Sequence, residues 1–447
     1  MSSAFQDLRY ALRVLRKSRA FTAAAVVVLA LGIGANTAIF SVVNSVLLRP
    51  LPYADESRLV MVYHRPPQKS FPGQSTFAVS PANYLDWRSQ NHSFEDLGIV
   101  GGSGFTWTGG SQPESLTGLR TSASFFRVLG VRPLLGRTFT EEEDAPGSNA
   151  VMLSYKFWKT QLGADPGIVG QSITLDGAAH TVIGIMPQSF RFMGPPDIYS
   201  PLDWDAKERT VRGNHNYLVI GRLKQGVDLH TAQAEMDTIS RRLEQEYPDD
   251  DAGWGAVVIP MREDMVGQVR PALLVLLGAV VCVLLIACAN VANLVLARTL
   301  ARRKEIAIRT ALGASRARLL AQVMWEALIV SLVGGAFGLW IAAYGTQLIT
   351  RFLAGRLPRS VEVRTDGWVL VFALVISVVT GIVAGLMPAL RLTRADSDLH
   401  GSLKQAQGRG ATDSGGQRLR AVLVAAEVAL SRMLLIGAGL ALRSLWL

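Results

Sequence analysis

The tightest constraint on this chain is a stretch of 27 residues, 271–297, that holds no charged side chain. As a helix it would run about 40 Å at 1.5 Å per residue, more than the roughly 30 Å hydrocarbon core of a bilayer requires. It is read as a membrane span. The next 21 residues, 298–318, carry seven basic side chains (Arg298, Arg302, Arg303, Lys304, Arg309, Arg316, Arg318) against one acid, Glu305. That excess places this end of the span on the cytoplasmic side. Ile306, Leu312 and Leu319 draw a thin apolar stripe and the segment lacks proline, which predicts a short helix along the inner face, interrupted near Gly313. On residue chemistry alone two readings stand level: a loop that only sets topology, and a surface for a partner.

The net charge of +10 invites a nucleic-acid reading, but its distribution excludes one. Residues 49–270 hold 21 basic and 26 acidic side chains, whereas 1–20, 298–318 and 391–420 hold 5, 7 and 6 basic ones. Positive charge confined to short segments beside apolar runs marks a membrane side, while a phosphate-tracking groove needs Lys and Arg on one folded face. Both cysteines, Cys282 and Cys288, fall inside the 271–297 span. Six residues apart on one helix they stand about 9 Å apart along the axis, too far to bridge, so they are read as packing residues.

Taken in order, residues 1–19 predict an amphipathic helix at the membrane surface, with Leu8, Leu12 and Leu15 on one face and Arg9, Arg13 and Arg16 on another. Residues 20–48 are uncharged and follow five basic residues, giving a first span with the N-terminus inside. A cleaved signal peptide would have an apolar core of about 7–15 residues and an A-x-A site, neither of which fits. Residues 49–270 form the extracytoplasmic region, large enough for a core of its own and expected to fold as two lobes. Leu59–Tyr63 reads as a strand. Asp228 reads as the N-cap of a helix carrying Leu229, Ala232, Met236, Ile239 and Leu243 as far as Pro248; strands at Tyr217–Leu223 and Ala256–Ile259 flank it in a β-α-β unit. Thr140 and Glu143 offer a capping box, and Asp176-Gly177 a hairpin turn in which glycine supplies the positive φ.

Beyond 271–297 the reading continues with an inner segment at 298–320, a third span at 321–350, an outer loop at 351–366, a fourth span at 367–390 and a flexible inner linker at 391–420. A partial fifth span follows at 421–447, where Glu427 and Arg432 interrupt the apolar run and a packed arginine is preferred over an intramembrane site. Glu326 is placed at the cytoplasmic edge of span three, where a carboxylate stays wet. Small residues four apart, Gly34 and Ala38, Gly334 and Gly338, Gly381 and Gly385, predict faces on which helices approach closely. The expected fold class is a membrane α-helical bundle, four spans plus a partial fifth, with an α+β extracytoplasmic domain of two lobes inserted between spans 1 and 2.

The string R-R-K-E-I-A-I-R-T-A-L-G-A, Arg302 to Ala314, directly after a span containing Asn290 and Asn293, resembles the cytoplasmic coupling segment of MacB/FtsX-type permeases. These are membrane subunits of ABC machines that work by mechanotransmission. The resemblance implies that Arg302, Arg303, Lys304, Glu305, Ile306, Arg309, Leu312, Gly313 and Ala314 form the surface on which a separate ABC ATPase subunit acts. Residues 49–270 resemble the family's periplasmic core domain at Ser124–Pro133, Gly136–Phe139, Leu175–Gly177 and Val182–Pro187, implying an inner lobe at roughly 123–212. Also implied are an inner-membrane location, a periplasmic adaptor and a second permease unit as partners, and no cofactor. In the family's duplicated orphan branch a second unit follows such a linker. This chain resembles the first unit and the opening span of the second, departs from the pattern at Ser431-Arg432, and stops at Leu447, so a truncated copy is expected.

Nothing in the sequence predicts catalysis. There is no G-x-x-x-x-G-K-[ST], H-E-x-x-H or G-x-S-x-G. The six histidines (His64, His92, His180, His215, His230, His400) lack ligand spacing, and the acidic runs Glu141–Asp144 and Asp249–Asp251 read as solvated loops. The function expected is a permease subunit driven by a cytoplasmic ATPase and acting on an extracytoplasmic substrate, as in efflux or in lipoprotein or peptide handling. A membrane-anchored binding or signalling protein without ATPase coupling is the alternative, and an ectoenzyme the third reading.

Overall fold

The structure, a computed structural model, describes residues 2–301 apart from 110, 111, 193, 195 and 268, residues 316–352 and 366–394, and scattered positions at 308 and between 425 and 439. The expected coupling residues 302–306, 309 and 312–314, most of the outer loop, the linker from 395 and most of the fifth segment lie outside the described residues. The chain divides into two units, one built from residues 1–48 with the helices after 269, the other from 49–268.

Helix α1 (Ser2–Lys17) is amphipathic, but its inward stripe is Ala11, Val14 and Leu15, while Leu12, expected on that face, is exposed. Leu15 is buried and Leu8 half-buried as the spacing predicts; Leu12 alone turns out, its place in the stripe taken by Ala11. After Ser18, whose hydroxyl donates to the Val14 carbonyl at 3.1 Å, the chain turns into α2 (Arg19–Val43), which loosens into a wider turn over Asn44–Leu48.

The 49–268 unit is built on a mixed sheet. In chain order its elements are β1 (Leu59–Arg65), α3 (Pro81–Gln90), β2 (Phe94–Trp107), β3 (Glu114–Thr121), α4 (Ala123–Leu129), β4 (Leu135–Gly136), β5 (Ala150–Leu153), α5 (Tyr155–Gln161), β6 (Ser172–Leu175), β7 (Ala178–Ile185), β8 (Ile198–Pro201), β9 (Tyr217–Leu223), α6 (Leu229–Glu246), β10 (Gly255–Pro260) and α7 (Met261–Val266). The strands run β10-β1-β9-β2-β3-β8-β5-β7-β4, with β6 paired to β2 and β7. Only β3–β8 and β5–β7 are parallel among the described pairs. Strands β9 and β10 flank β1, so α6 makes a crossover between them. Its N-cap is Asp228, whose carboxylate accepts the Thr231 N–H at 2.7 Å, and its Ala232, Met236, Ile239 and Leu243 are buried with Trp87 and Trp204. On the opposite core, Phe125 and Phe126 of α4 pack with Phe139, Phe190, Phe192 and Tyr199.

The turn between β6 and β7 needs left-handed backbone at both of its residues, Asp176 at φ 49° and Gly177 at φ 80°. That is the geometry of a two-residue hairpin, and aspartate is among the few side chains that tolerate it. The capping box is formed, Glu143 accepting the Thr140 N–H at 2.9 Å.

The remaining helices are α8 (Arg270–Ala301), α9 (Arg316–Phe352) and α10 (Gly367–Arg394). Among the described residues four helices, starting at Arg19, Arg270, Leu320 and Gly367, are long and apolar enough to cross a membrane. Helix α2 is the most enclosed, burying Leu29, Ile33 and Val42 against its neighbours, whereas α8 to α10 leave Val275, Leu285, Phe337, Leu374 and Val379 exposed. In water such a surface would be untenable; in hydrocarbon it costs nothing. Trp340, Tyr344 and Trp368 are also exposed, as expected of aromatic anchors at a lipid–water interface.

Candidate functional site

Two features of the helical unit carry the functional argument: the seam along α2, and the place where α8 leads into the basic segment. At the seam, a Cβ built on Gly34 would stand 2.9 Å from the Gly338 carbonyl oxygen, and one on Gly338 would stand 2.9 Å from the Gly34 nitrogen. The two backbones therefore touch, a distance no side chain permits. Gly334 faces Leu29 at 2.9 Å, and Ala38 lies 3.8 Å from the Cβ position of Gly345. Between α10 and α9, a Cβ built on Gly381 would overlap the Ser331 hydroxyl and stand 3.0 Å from the Leu328 Cα, and one on Gly385 would stand 3.0 Å from Ala327 and Met324. Gly335 also belongs to this set: a Cβ there would overlap the Ser377 hydroxyl, an approach that the four-residue spacing did not flag.

Polar atoms lock the same helices. Asn36, wholly buried, donates to the Val280 carbonyl of α8 at 2.7 Å while also bonding Gly32 at 2.9 Å. Asn44 donates to Asp366 at 3.1 Å, and Asp366 caps α10 by accepting the Val369 N–H at 3.0 Å. Sequence reasoning passed over both asparagines, although an amide inside an otherwise apolar span is itself a signal that it must bond another helix.

At the root of the basic segment, Arg298 turns inward. Its guanidinium lies 3.5 Å from the Glu326 carboxylate of α9, donates to the Val14 carbonyl of α1 at 2.9 Å, and stands over the Phe21 ring of α2 at 4.7 Å. The two charged side chains are only 13% and 12% exposed. This corrects the expectation that Glu326 stays wet: its carboxylate is covered and paired, because it is the only acid on α9 and the arginine ending α8 lies opposite it. A planar five-donor fork can meet a carboxylate, a carbonyl and a ring face together; an ammonium cannot. The segment that Arg298 introduces includes Ile308, helical and 62% exposed.

The 49–268 unit corrects a second expectation. Of the acidic runs read as solvated loops, Glu141 is bonded by Arg88 and Arg127, which also share Asp96, and Glu143 is bonded by Arg137. The Arg88 hydrogen bond is the main cause that holds the Glu141 pKa down at about 2. Asp144, buried, accepts the Ala123 N–H at 3.0 Å, and burial pushes its pKa up to about 6. Asp251 is buried with Arg212, which spans it and Asp86 at 3.1 and 2.6 Å and stacks on Tyr247. Glu141, though paired, is exposed, as are Glu142, Asp249 and Asp250. The arginines that neutralise these acids are distant in sequence, so no local pattern announced them. His64 and His215, also distant, meet with ring centroids 5.1 Å apart beside Trp254. Among the described residues no group of three His, Cys, Asp or Glu is arranged to hold a metal.

Comparison with known proteins decides what this arrangement belongs to. The family model for the MacB-like periplasmic core domain matches residues 22–239, and that for the FtsX-like permease C-terminal matches 277–396, in that order along one chain. The chain belongs to the MacB/FtsX family of permeases. The second match runs across Arg298, the basic segment and Glu326. Among its relatives are the pyoverdine export ATP-binding/permease protein PvdT of Pseudomonas entomophila, 25% identical over 307 residues, and the macrolide export ATP-binding/permease protein MacB of Escherichia coli K12, 26% identical over 279. These alignments cover 67% and 62% of this chain but 44% and 41% of those proteins, so the chain spans less than half the length of these relatives. The periplasmic region of MacB from Actinobacillus actinomycetemcomitans superposes with TM-score 0.35 and 15% identity over 48% of this chain and 94% of that one, a likeness too loose to argue from.

Proposed function

We propose that this chain is the permease subunit of a mechanotransmission ABC transporter, driven by a separate cytoplasmic ATPase that docks on Arg302–Ala314, and that it acts on a substrate on the outer side of the membrane. The observation that carries the reading is the Arg298–Glu326 node. One side chain joins the helix entering the basic segment to the helix leaving it, and both to α1 and α2. The residues that flank the segment are thereby tied to α1, α2 and α8, and α2 and α8 are the two helices continuous in sequence with the 49–268 unit. The Gly34–Gly338 contact brings the α2 and α9 backbones together, so a displacement of one bears directly on the other. In this reading the N-terminus is cytoplasmic, 49–270 is periplasmic with its inner lobe near 123–212, and no solute pore through the bilayer is needed. The relatives named for pyoverdine and macrolide export make efflux the leading substrate class, with a periplasmic adaptor and a second permease unit as partners.

The test is co-purification from membranes with an ABC ATPase, comparing the natural chain with Glu305→Ala, Arg309→Ala and Gly313→Leu. Loss of the ATPase in the variants, with the chain still inserted, supports docking on this segment. Equal recovery with all three would move the reading to an anchored extracytoplasmic binding protein.

A further inference from the structure

Between α5 and the loop after β7 lies a cavity of about 250 Å³, below the roughly 300–1,000 Å³ typical of drug-sized ligands. Its deep wall is apolar, with Met186, Phe190 and Tyr199 all buried. Its rim carries Lys156, Lys159 and Arg191, and no acidic side chain lines it. None of the three cations makes an ion pair among the described residues; of the acids nearest in sequence, Asp165 accepts the Gly167 amide at 2.8 Å and Asp197 accepts the Thr117 amide and hydroxyl at 3.1 and 3.0 Å. Elsewhere in this unit, Arg58, Arg88, Arg127, Arg137 and Arg212 all hold carboxylates.

Tyr199 supplies the second observation. It is 1% exposed, it lines the cavity, and its hydroxyl has no hydrogen-bond partner among the described residues. A buried phenol ordinarily finds one, as the neighbouring Tyr53 does by donating to the Arg191 carbonyl at 2.6 Å. Burial pushes the Tyr199 pKa up, so the hydroxyl remains a donor at neutral pH. A phenol donor, apolar side chains and cations without carboxylate partners, one of them Lys159 standing 5.8 Å over the Tyr155 ring, line one cavity and together define a ligand with an oxygen and a negative charge on an apolar body.

We infer that this cavity binds a small organic acid. Its flat apolar body packs on Phe190 and Met186, an oxygen accepts from Tyr199, and the carboxylate is held by Arg191 and the two lysines. The inference is independent of ATPase coupling and stands or falls without it.

The test uses the full chain in lipid nanodiscs with 6-hydroxy-2-naphthoate as probe, empty nanodiscs being subtracted. Saturable binding of one probe per chain is expected. The neutral 6-hydroxy-2-naphthamide should bind at least tenfold more weakly, Tyr199→Phe should weaken the probe severalfold, and the triple variant Lys156→Ala, Lys159→Ala, Arg191→Ala, two exposed lysines and a half-buried arginine, should abolish saturation. Lys224→Ala, a solvent-exposed lysine outside the cavity, should bind as the natural chain does. Equal binding of acid and amide, an unchanged triple variant, an unchanged Tyr199→Phe, or no saturation above empty nanodiscs would overturn the assignment.

Discussion

Arg298 and Glu326 each need the other. Removing one partner of a covered ion pair strands the second charge, at a cost of about 3–5 kcal/mol. Arg298→Ala and Glu326→Ala should therefore each lower the temperature at which the purified chain leaves its monodisperse peak on size exclusion. The double variant should recover part of the loss, and Arg298→Lys should fall between, because it restores the charge but not the fork. If the double variant loses the sum of the two singles, the pair is not coupled. His64 gives a prediction of opposite character. Burial, reinforced by the His215 charge, holds its pKa down at about 3, below the ordinary value of 6.5, so the folded chain keeps it neutral. Its contribution to stability is complete above about pH 6.5 and is lost as pH falls toward 3, at up to about 1.4 kcal/mol per pH unit. The urea midpoint followed by tryptophan fluorescence should drop between pH 6.5 and 4.5, and drop less in His64→Gln; parallel slopes would contradict this. Lone residues such as these were the least legible part of the sequence. Arg298 read as one more topogenic charge and His64 as a scattered histidine, because their partners lie 28 and 151 positions away.

At the scale of elements, the sequence spoke through local signals. Asp228, the Asp176-Gly177 turn and the Thr140–Glu143 pair all act within a few residues and are present as expected; the 3–4 spacing after Asp228 is buried from Ala232 to Leu243, while Leu229, in the first turn, is exposed. What local signals could not supply was strand order: that β9 and β10 flank β1, or that β3 pairs parallel with β8 across some 80 residues, is set by core packing rather than by neighbours in sequence. The helix seams give a clean contrast. Gly278 has nothing within 4 Å of its Cβ position, whereas Gly34 meets a backbone carbonyl at 2.9 Å. Gly278→Ala should be neutral or stabilising by up to about 1 kcal/mol, since alanine is the better helix former. Gly34→Ala should destabilise, and Gly34→Leu should prevent α2 and α9 from meeting. The check is the same heated size-exclusion series; equal behaviour of the two alanine variants would mean that the close approach is not what holds the seam.

For the whole molecule, the division of labour was written in charge and hydropathy before any fold was known. Basic residues cluster in short segments beside uncharged runs, and a nearly balanced 222-residue stretch interrupts them. That partition, with the two family matches in sequence along one chain, places the chain among MacB/FtsX permeases. What the proposed coupling turns on is the basic segment after α8, of which Ile308 is described and exposed. The most direct measurement replaces Ile308 with a photo-activatable amino acid in the full chain and irradiates intact cells. The account predicts a cross-link to a cytoplasmic ABC ATPase, identified by mass spectrometry and weakened by Glu305→Ala. A cross-link to an extracytoplasmic protein, or none to any ATPase while the chain is inserted and abundant, would contradict it.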